Sequence, residues 1–100
     1  MYDNRPRKIT AAMDLLAGYD LPEASINDIL PEVVDVLCGY PKPERKSDTI
    51  GATPQALAAY LLVSNARNAA KLGRLGFFAP FDACKIAVVN LELALSLLVD

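Results

Sequence analysis

Apolar residues recur every three or four positions over most of the chain, and this period predicts helices. The clearest stripe consists of Ile26, Ile29, Leu30, Val33, Val34 and Leu37. β-Branched residues are too scattered to make the alternating pattern of strands. We therefore predict an all-α fold, a compact bundle of four or five helices.

Capping signals predict where the first two helices begin. Thr10 can serve as the N-cap of a first helix, and residues 20–23 (DLPE) are typical of a second start. The apolar stripe continues through Pro31, a residue that costs about 3 kcal/mol inside a helix but little in its first turn. We favour a main helix capped by Asp28 and ending at Cys38, preceded by a short helical turn. The alternative is one kinked helix over the whole stretch.

Prolines mark the start of the two remaining helices. Thr53-Pro54 combines an N-cap residue with proline at the first helical position, and the pattern continues to about Leu72 or Leu75. Pro80 occupies a similar first-turn position for a last helix that continues to Val99. This last helix is apolar around most of its circumference, so we place it at the centre of the bundle or at an oligomer interface.

The chain length and composition predict one domain over residues 1–100. The chain has 100 residues, of which 53% are hydrophobic, enough for a single compact core. We expect residues 1–9 to form a polar, basic N-terminal tail. Residues 39–52 (GYPKPERKSDTIGA), rich in Pro, Gly and charge, are predicted to form an exposed loop.

The sequence carries no recognisable catalytic or metal-binding pattern. It has no histidine, no glycine-rich phosphate loop and no nucleophile-and-base arrangement. The two cysteines, Cys38 and Cys84, lie within apolar patterns, and we expect both to be small core residues in a reducing compartment. We therefore expect a protein that is not an enzyme and that uses no cofactor and no metal.

No segment predicts secretion or membrane insertion. Arg5, Arg7 and Lys8 near the N-terminus are not followed by the apolar region of a signal peptide. The most apolar stretch, residues 86–99, is interrupted by Asn90 and falls short of the ~20 residues of a membrane span. A cytoplasmic location is the expectation.

The charges are segregated along the chain. Between residues 11 and 40 there is no Lys or Arg, and the acidic residues are Asp14, Asp20, Glu23, Asp28, Glu32 and Asp35. Three of them, Asp28, Glu32 and Asp35, share one helical face opposite the apolar stripe. This face is either an ordinary solvated surface or a binding face for a basic partner.

A basic stripe follows on the third helix. Arg67, Lys71 and Arg74 are spaced three or four residues apart, so they share one exposed face. It is either the solvated side of an apolar helix or a contact face for an acidic protein surface or nucleic acid. The formal net charge of −2 and the isoelectric point near 5.0 argue against direct nucleic-acid binding by the whole domain.

Residues 55–64 (QALAAYLLVS) resemble the first half of a helix-turn-helix unit, which implies a DNA-binding regulator. The resemblance ends there, because Leu62 replaces the turn glycine and Asn68 occupies a position that needs a buried aliphatic residue. A helix that continues unbroken through Leu62 explains the same residues with fewer exceptions.

The last helix has too many apolar residues for a small bundle to cover. One side carries Ile86, Val89, Leu93 and Leu97, and the other side carries Ala87, Leu91, Ala94, Leu95 and Leu98. We predict a homodimer or a heterologous complex, with Leu91, Leu95 and Leu98 as the candidate interface. The competing interpretation is a monomer whose other helices enclose the last one.

These observations favour a non-enzymatic protein-binding module, a small inhibitor or adaptor that docks on a larger protein or nucleoprotein complex. In size and acidity, though not in any motif, the chain is similar to inhibitors encoded by phages and other mobile elements, such as anti-CRISPR proteins. The alternative is a dimeric DNA-binding transcriptional regulator that uses the basic stripe together with Arg5, Arg7 and Lys8. A subunit of a homo-oligomeric structural assembly is the third hypothesis.

Overall fold

The computed structural model describes residues 5–20, 23–41 and 54–98. This part contains helices α1 (Arg5–Leu16), α2 (Glu23–Cys38), α3 (Pro54–Arg74) and α4 (Pro80–Leu98), with a 3₁₀ helix at Ala17–Asp20. There is no strand in these described ranges. The predicted all-α bundle is confirmed.

The four helices pack around one apolar core. The α3–α4 pair makes the most extensive contact, α2 packs on α3, and α1 packs on α2 and α4. As a result, α1 and α3 occupy opposite corners of the bundle. The apolar stripe predicted for α2 turns inward, because Leu30, Val33 and Leu37 are fully buried.

Helices α3 and α4 approach each other through small side chains. The buried face of α3 consists of Ala56, Ala59, Val63, Ala66, Ala69, Ala70 and Gly73. At Gly73, an added Cβ would lie 2.5 Å from the Cβ of Ala83 and 3.1 Å from Cδ1 of Leu30. This glycine therefore allows the close approach of the two helices, since a larger residue would push them apart.

A glycine also ends α3. Gly76 has a φ of 91°, its N–H donates to the carbonyl of Gly73 (3.2 Å), and the N–H of Phe77 donates to the carbonyl of Leu72 (2.9 Å). These two bonds form a Schellman cap, whose left-handed residue is usually glycine. After this turn α4 begins at Pro80, as its sequence position predicted.

The start of α1 differs from its prediction. The helix begins at Arg5, and Thr10 is an exposed residue inside it. Residues 5–9 are therefore not a tail: Pro6 suits the first turn, and Ile9 is fully buried. A Cβ at Gly39 would lie 3.2 Å from Nζ of Lys8, which places this cation at the C-terminal end of α2, a favourable position.

Helix α2 is one helix over Glu23–Cys38, so the preferred break before Asp28 is wrong and the single helix of the alternative is confirmed. Pro31 lies inside it, and both Ile26 before the proline and Val33 after it are buried. Burial of a large aliphatic side chain contributes about 1.5–3 kcal/mol. Two such residues, Ile26 and Val33, can offset the cost of about 3 kcal/mol for an internal proline.

Most of the predicted loop at 39–52 lies outside the described residues, which resume at Pro54. At its beginning Gly39 is exposed as expected, but the residue after it is not. Tyr40 is 5% exposed, and its ring centroid lies 6.3 Å from that of Tyr60 on α3. The chain is therefore held against α3 where it leaves α2. Thr53 and Val99, the predicted cap and end of helices, also lie outside the described residues.

Candidate protein-binding surfaces

The first candidate is an acidic surface formed by Asp14 of α1 and Asp28, Glu32 and Asp35 of α2. All four side chains are exposed. The three on α2 lie opposite its buried stripe, as the helical period predicted. Neighbours three or four residues apart on a helix have Cβ atoms about 5–6 Å apart, so these carboxylates form a closely spaced row.

The α1–α2 junction adds an apolar groove to the acidic surface. This open groove has a volume of about 570 Å³. Its lining residues are Ala11, Asp14, Leu15, Glu32, Asp35 and Val36. The sequence analysis did not place Asp14 on the acidic face of α2, because Asp14 lies on another helix. The packing of α1 on α2 brings it beside Glu32 and Asp35.

The second candidate is the basic stripe of Arg67, Lys71 and Arg74. Lys71 and Arg74 are exposed, whereas Arg67 is partly buried and its Nη2 donates to Oγ of Ser64 (3.3 Å). Two of the three cations, Lys71 and Arg74, lie in the last turn of α3, where they are also favourable to the helix dipole. The stripe thus has a structural role in addition to any binding role.

The structure does not join the basic stripe to the basic residues of the N-terminal segment. Arg5 is buried, and Lys8 lies near the end of α2. Because α1 and α3 occupy opposite corners of the bundle, the two sets do not form one basic surface. The helix-turn-helix resemblance fails as well, since α3 continues unbroken through Leu62 and has no turn there.

The third candidate is on α4, on the side opposite the predicted interface residues. Leu91 is fully buried, and Leu95 and Leu98 are partly buried against the core, so these three residues do not form an exposed surface in one chain. The opposite side is exposed: Ile86 42%, Val89 54%, Leu93 52% and Leu97 39%. The small residues Ala83, Ala87 and Ala94 beside Leu91 were the signal that this side packs on the Ala-rich face of α3.

Two leucines of α3 are also exposed. Leu57 and Leu61 are 51% and 57% exposed, but they point away from the buried face of α3, whose Gly73 meets Ala83 of α4. We therefore restrict the third candidate to the exposed row of α4 and call it the apolar face. It consists of Ile86, Val89, Leu93 and Leu97.

The two cysteines have different environments. Cys84 is fully buried in the core, and burial raises the pKa of its thiol. Cys38 is exposed at the end of α2, so its prediction as a core residue is wrong. Its place after the buried Leu37 turns it to the outer side of the helix.

Metal-binding and membrane-spanning features are absent from the part of the chain that the structure describes. Within residues 5–20, 23–41 and 54–98, no three His, Cys, Asp or Glu side chains are grouped so that they could hold a metal ion. No helix in these ranges is both long enough and apolar enough to cross a membrane.

Comparisons with protein-family models, curated protein sequences and solved structures find no match to this chain. A function must therefore be argued from the chemistry of the three surfaces. Two of them are charged and one is apolar, and they lie on different helices.

Proposed function

We propose that this protein is a non-enzymatic binding module, an inhibitor or adaptor that docks through its acidic surface on a basic surface of a larger protein or nucleoprotein assembly. The observation that carries the proposal is the row of exposed carboxylates beside the apolar α1–α2 groove. Such a surface can occupy a cationic groove that otherwise holds nucleic acid.

Each part of this surface has a distinct contribution to binding. Exposed carboxylates at the rim steer a basic partner into place and speed association, but each contributes little affinity. The apolar groove side chains, among them Leu15 and Val36, give an area from which water can be displaced. Apolar contact surrounded by a charged rim is the usual anatomy of a specific protein interface.

The test is affinity capture from the source cells, followed by affinity measurements on the purified partner. The variant Asp28→Asn/Glu32→Gln/Asp35→Asn removes three charges from the acidic surface. We expect its affinity to fall roughly three- to 150-fold, because three exposed ion pairs contribute about 0.2–1 kcal/mol each. Binding of the unmodified protein should also weaken as salt is raised.

The matched control is Arg67→Gln/Lys71→Gln/Arg74→Gln, which removes three charges from another helix. Its affinity for the partner should stay close to that of the unmodified protein. If the control variant loses binding and the acidic variant keeps it, the basic stripe is the docking surface and the proposal is wrong.

The competing function is DNA binding by the basic stripe. A salt-sensitive shift of a duplex by the unmodified protein, abolished in the Arg67, Lys71 and Arg74 variant, would replace the proposal with a DNA-binding function.

A further inference from the structure

The apolar face is an uncovered side of α4. Its four aliphatic side chains lie between 39% and 54% exposed. They are spaced three or four residues apart on α4, at 86, 89, 93 and 97, which is the spacing of a helix that packs against another helix. Two polar side chains beside this row bond to its backbone: Nδ2 of Asn90 donates to the carbonyl of Ile86 (2.8 Å), and Oγ of Ser96 donates to the carbonyl of Leu93 (2.7 Å).

We propose that the apolar face binds a second copy of this chain, with the two α4 helices antiparallel about a twofold axis near Val89. In this arrangement Ile86 of one protomer packs on Leu93 of the partner subunit, and the reverse contact occurs across the axis. Such an interface is isologous, because both protomers use the same surface.

The charges beside the row favour a second copy over an unrelated partner. Lys85 and Glu92 are both exposed, are seven residues apart, and border the same side of the row. In the antiparallel arrangement, Lys85 of one protomer meets Glu92 of the partner subunit, and the pair occurs twice. A parallel arrangement would instead place like charges at the same height.

The experiment is sedimentation equilibrium of the full chain at micromolar concentrations, with a charge-exchange set of variants. We expect the unmodified protein to be a dimer. Lys85→Glu and Glu92→Lys should each weaken the dimer roughly tenfold, since each places two like-charged pairs at the interface. The double variant Lys85→Glu/Glu92→Lys restores opposite charges and should return to nearly the original dissociation constant.

Two further variants locate the interface. Leu93→Glu should abolish the dimer, because it places a charge in the centre of the apolar face. Lys71→Glu makes the same charge change as Lys85→Glu on an exposed residue of α3 and should leave the dimer intact. Circular dichroism checks that each variant keeps its helical content, and the charge exchange decides the result if Leu93→Glu does not fold.

Each unfavourable result has a definite meaning. A monomeric unmodified protein overturns the proposal, and so does a dimer that Leu93→Glu leaves unchanged in a folded variant. A dimer for which the charge exchange restores nothing overturns the antiparallel arrangement. None of these results depends on the acidic surface, which lies on α1 and α2.

Discussion

Helices α2 and α4 pack on the same core with side chains of different size. Their outer sides also differ, because one is charged and the other carries aliphatic residues. Helix α2 buries large side chains such as Leu30 and Leu37, whereas α4 buries mostly small ones around Leu91. On its outer side α2 carries carboxylates, and α4 carries half-exposed aliphatic residues such as Leu93.

This difference shows which positions the fold itself requires. A helix is held in the bundle by its inner stripe, so the outer residues are free to vary without loss of the core. Exposed charges keep the outer side of α2 hydrated, as a reversible and steered contact needs. Exposed leucines on α4 add nothing to the core of one chain, and in the proposed dimer they are buried against the second copy.

The largest expected effect tests whether the inner sides of α2 and α4 are equivalent. Leu30→Ala and Leu91→Ala should each lower the free energy of unfolding by about 2–5 kcal/mol, because both side chains are fully buried. Leu93→Ala, on the outer side, should cost less than 1 kcal/mol in dilute protein that sediments as a monomer. Urea denaturation followed by circular dichroism measures all three. Equal losses for Leu91→Ala and Leu93→Ala in the monomer would contradict the assignment of inner and outer sides.

The next effect concerns the close contact that fixes the inner side of α4. Gly73→Ala gains about 1 kcal/mol of helix propensity, but overpacking against Ala83 costs about 1–3 kcal/mol, so we expect net destabilisation. Combining Gly73→Ala with Ala83→Gly should cost less than the sum of the two single changes.

The control for this contact is Gly76→Ala. This change should cost about 1 kcal/mol from its left-handed φ alone and should show no coupling to Ala83, since nothing lies within 4 Å of the added Cβ. Additive effects of Gly73→Ala and Ala83→Gly would mean that the two helices are not in close contact there.

The smallest effect concerns the two cysteines. The thiol of Cys38 on α2 is exposed, whereas the thiol of Cys84 on α4 is buried. Cys38 should react at once with a thiol reagent, and Cys84 only after unfolding. Burial raises the folded pKa of Cys84 above its ordinary value of about 9. The unfolded thiol therefore loses its proton first, and stability should fall as the pH rises above about 9.

A Cys84→Ala variant should show a weaker fall in stability over the same pH range. Rapid reaction of Cys84 in the folded protein would show that this part of the core opens readily.

The pattern of the sequence predicted the elements better than their ends. Pro54 and Pro80 begin helices as predicted, because proline at a first helical turn is a local signal. The start of α1 was missed because burial of Ile9, a contact with distant residues, extends the helix back past Thr10. The break before Asp28 was predicted wrongly for a related reason. The free-energy cost of Pro31 inside the helix is offset by the burial of residues before and after it.

The sequence by itself determined that the chain is helical, that α2 has one acidic side, and that α4 has two apolar sides. Each of these follows from residue type and from the 3.6-residue period, which are local properties. Only the tertiary structure decided which apolar side of α4 faces inward. Periodicity cannot distinguish two apolar faces of one helix, whereas packing can: the Ala-rich face of α3, with Gly73 against Ala83, accepts the side of α4 whose neighbours are small. Leu91 is therefore buried, and Ile86, Val89, Leu93 and Leu97 remain exposed.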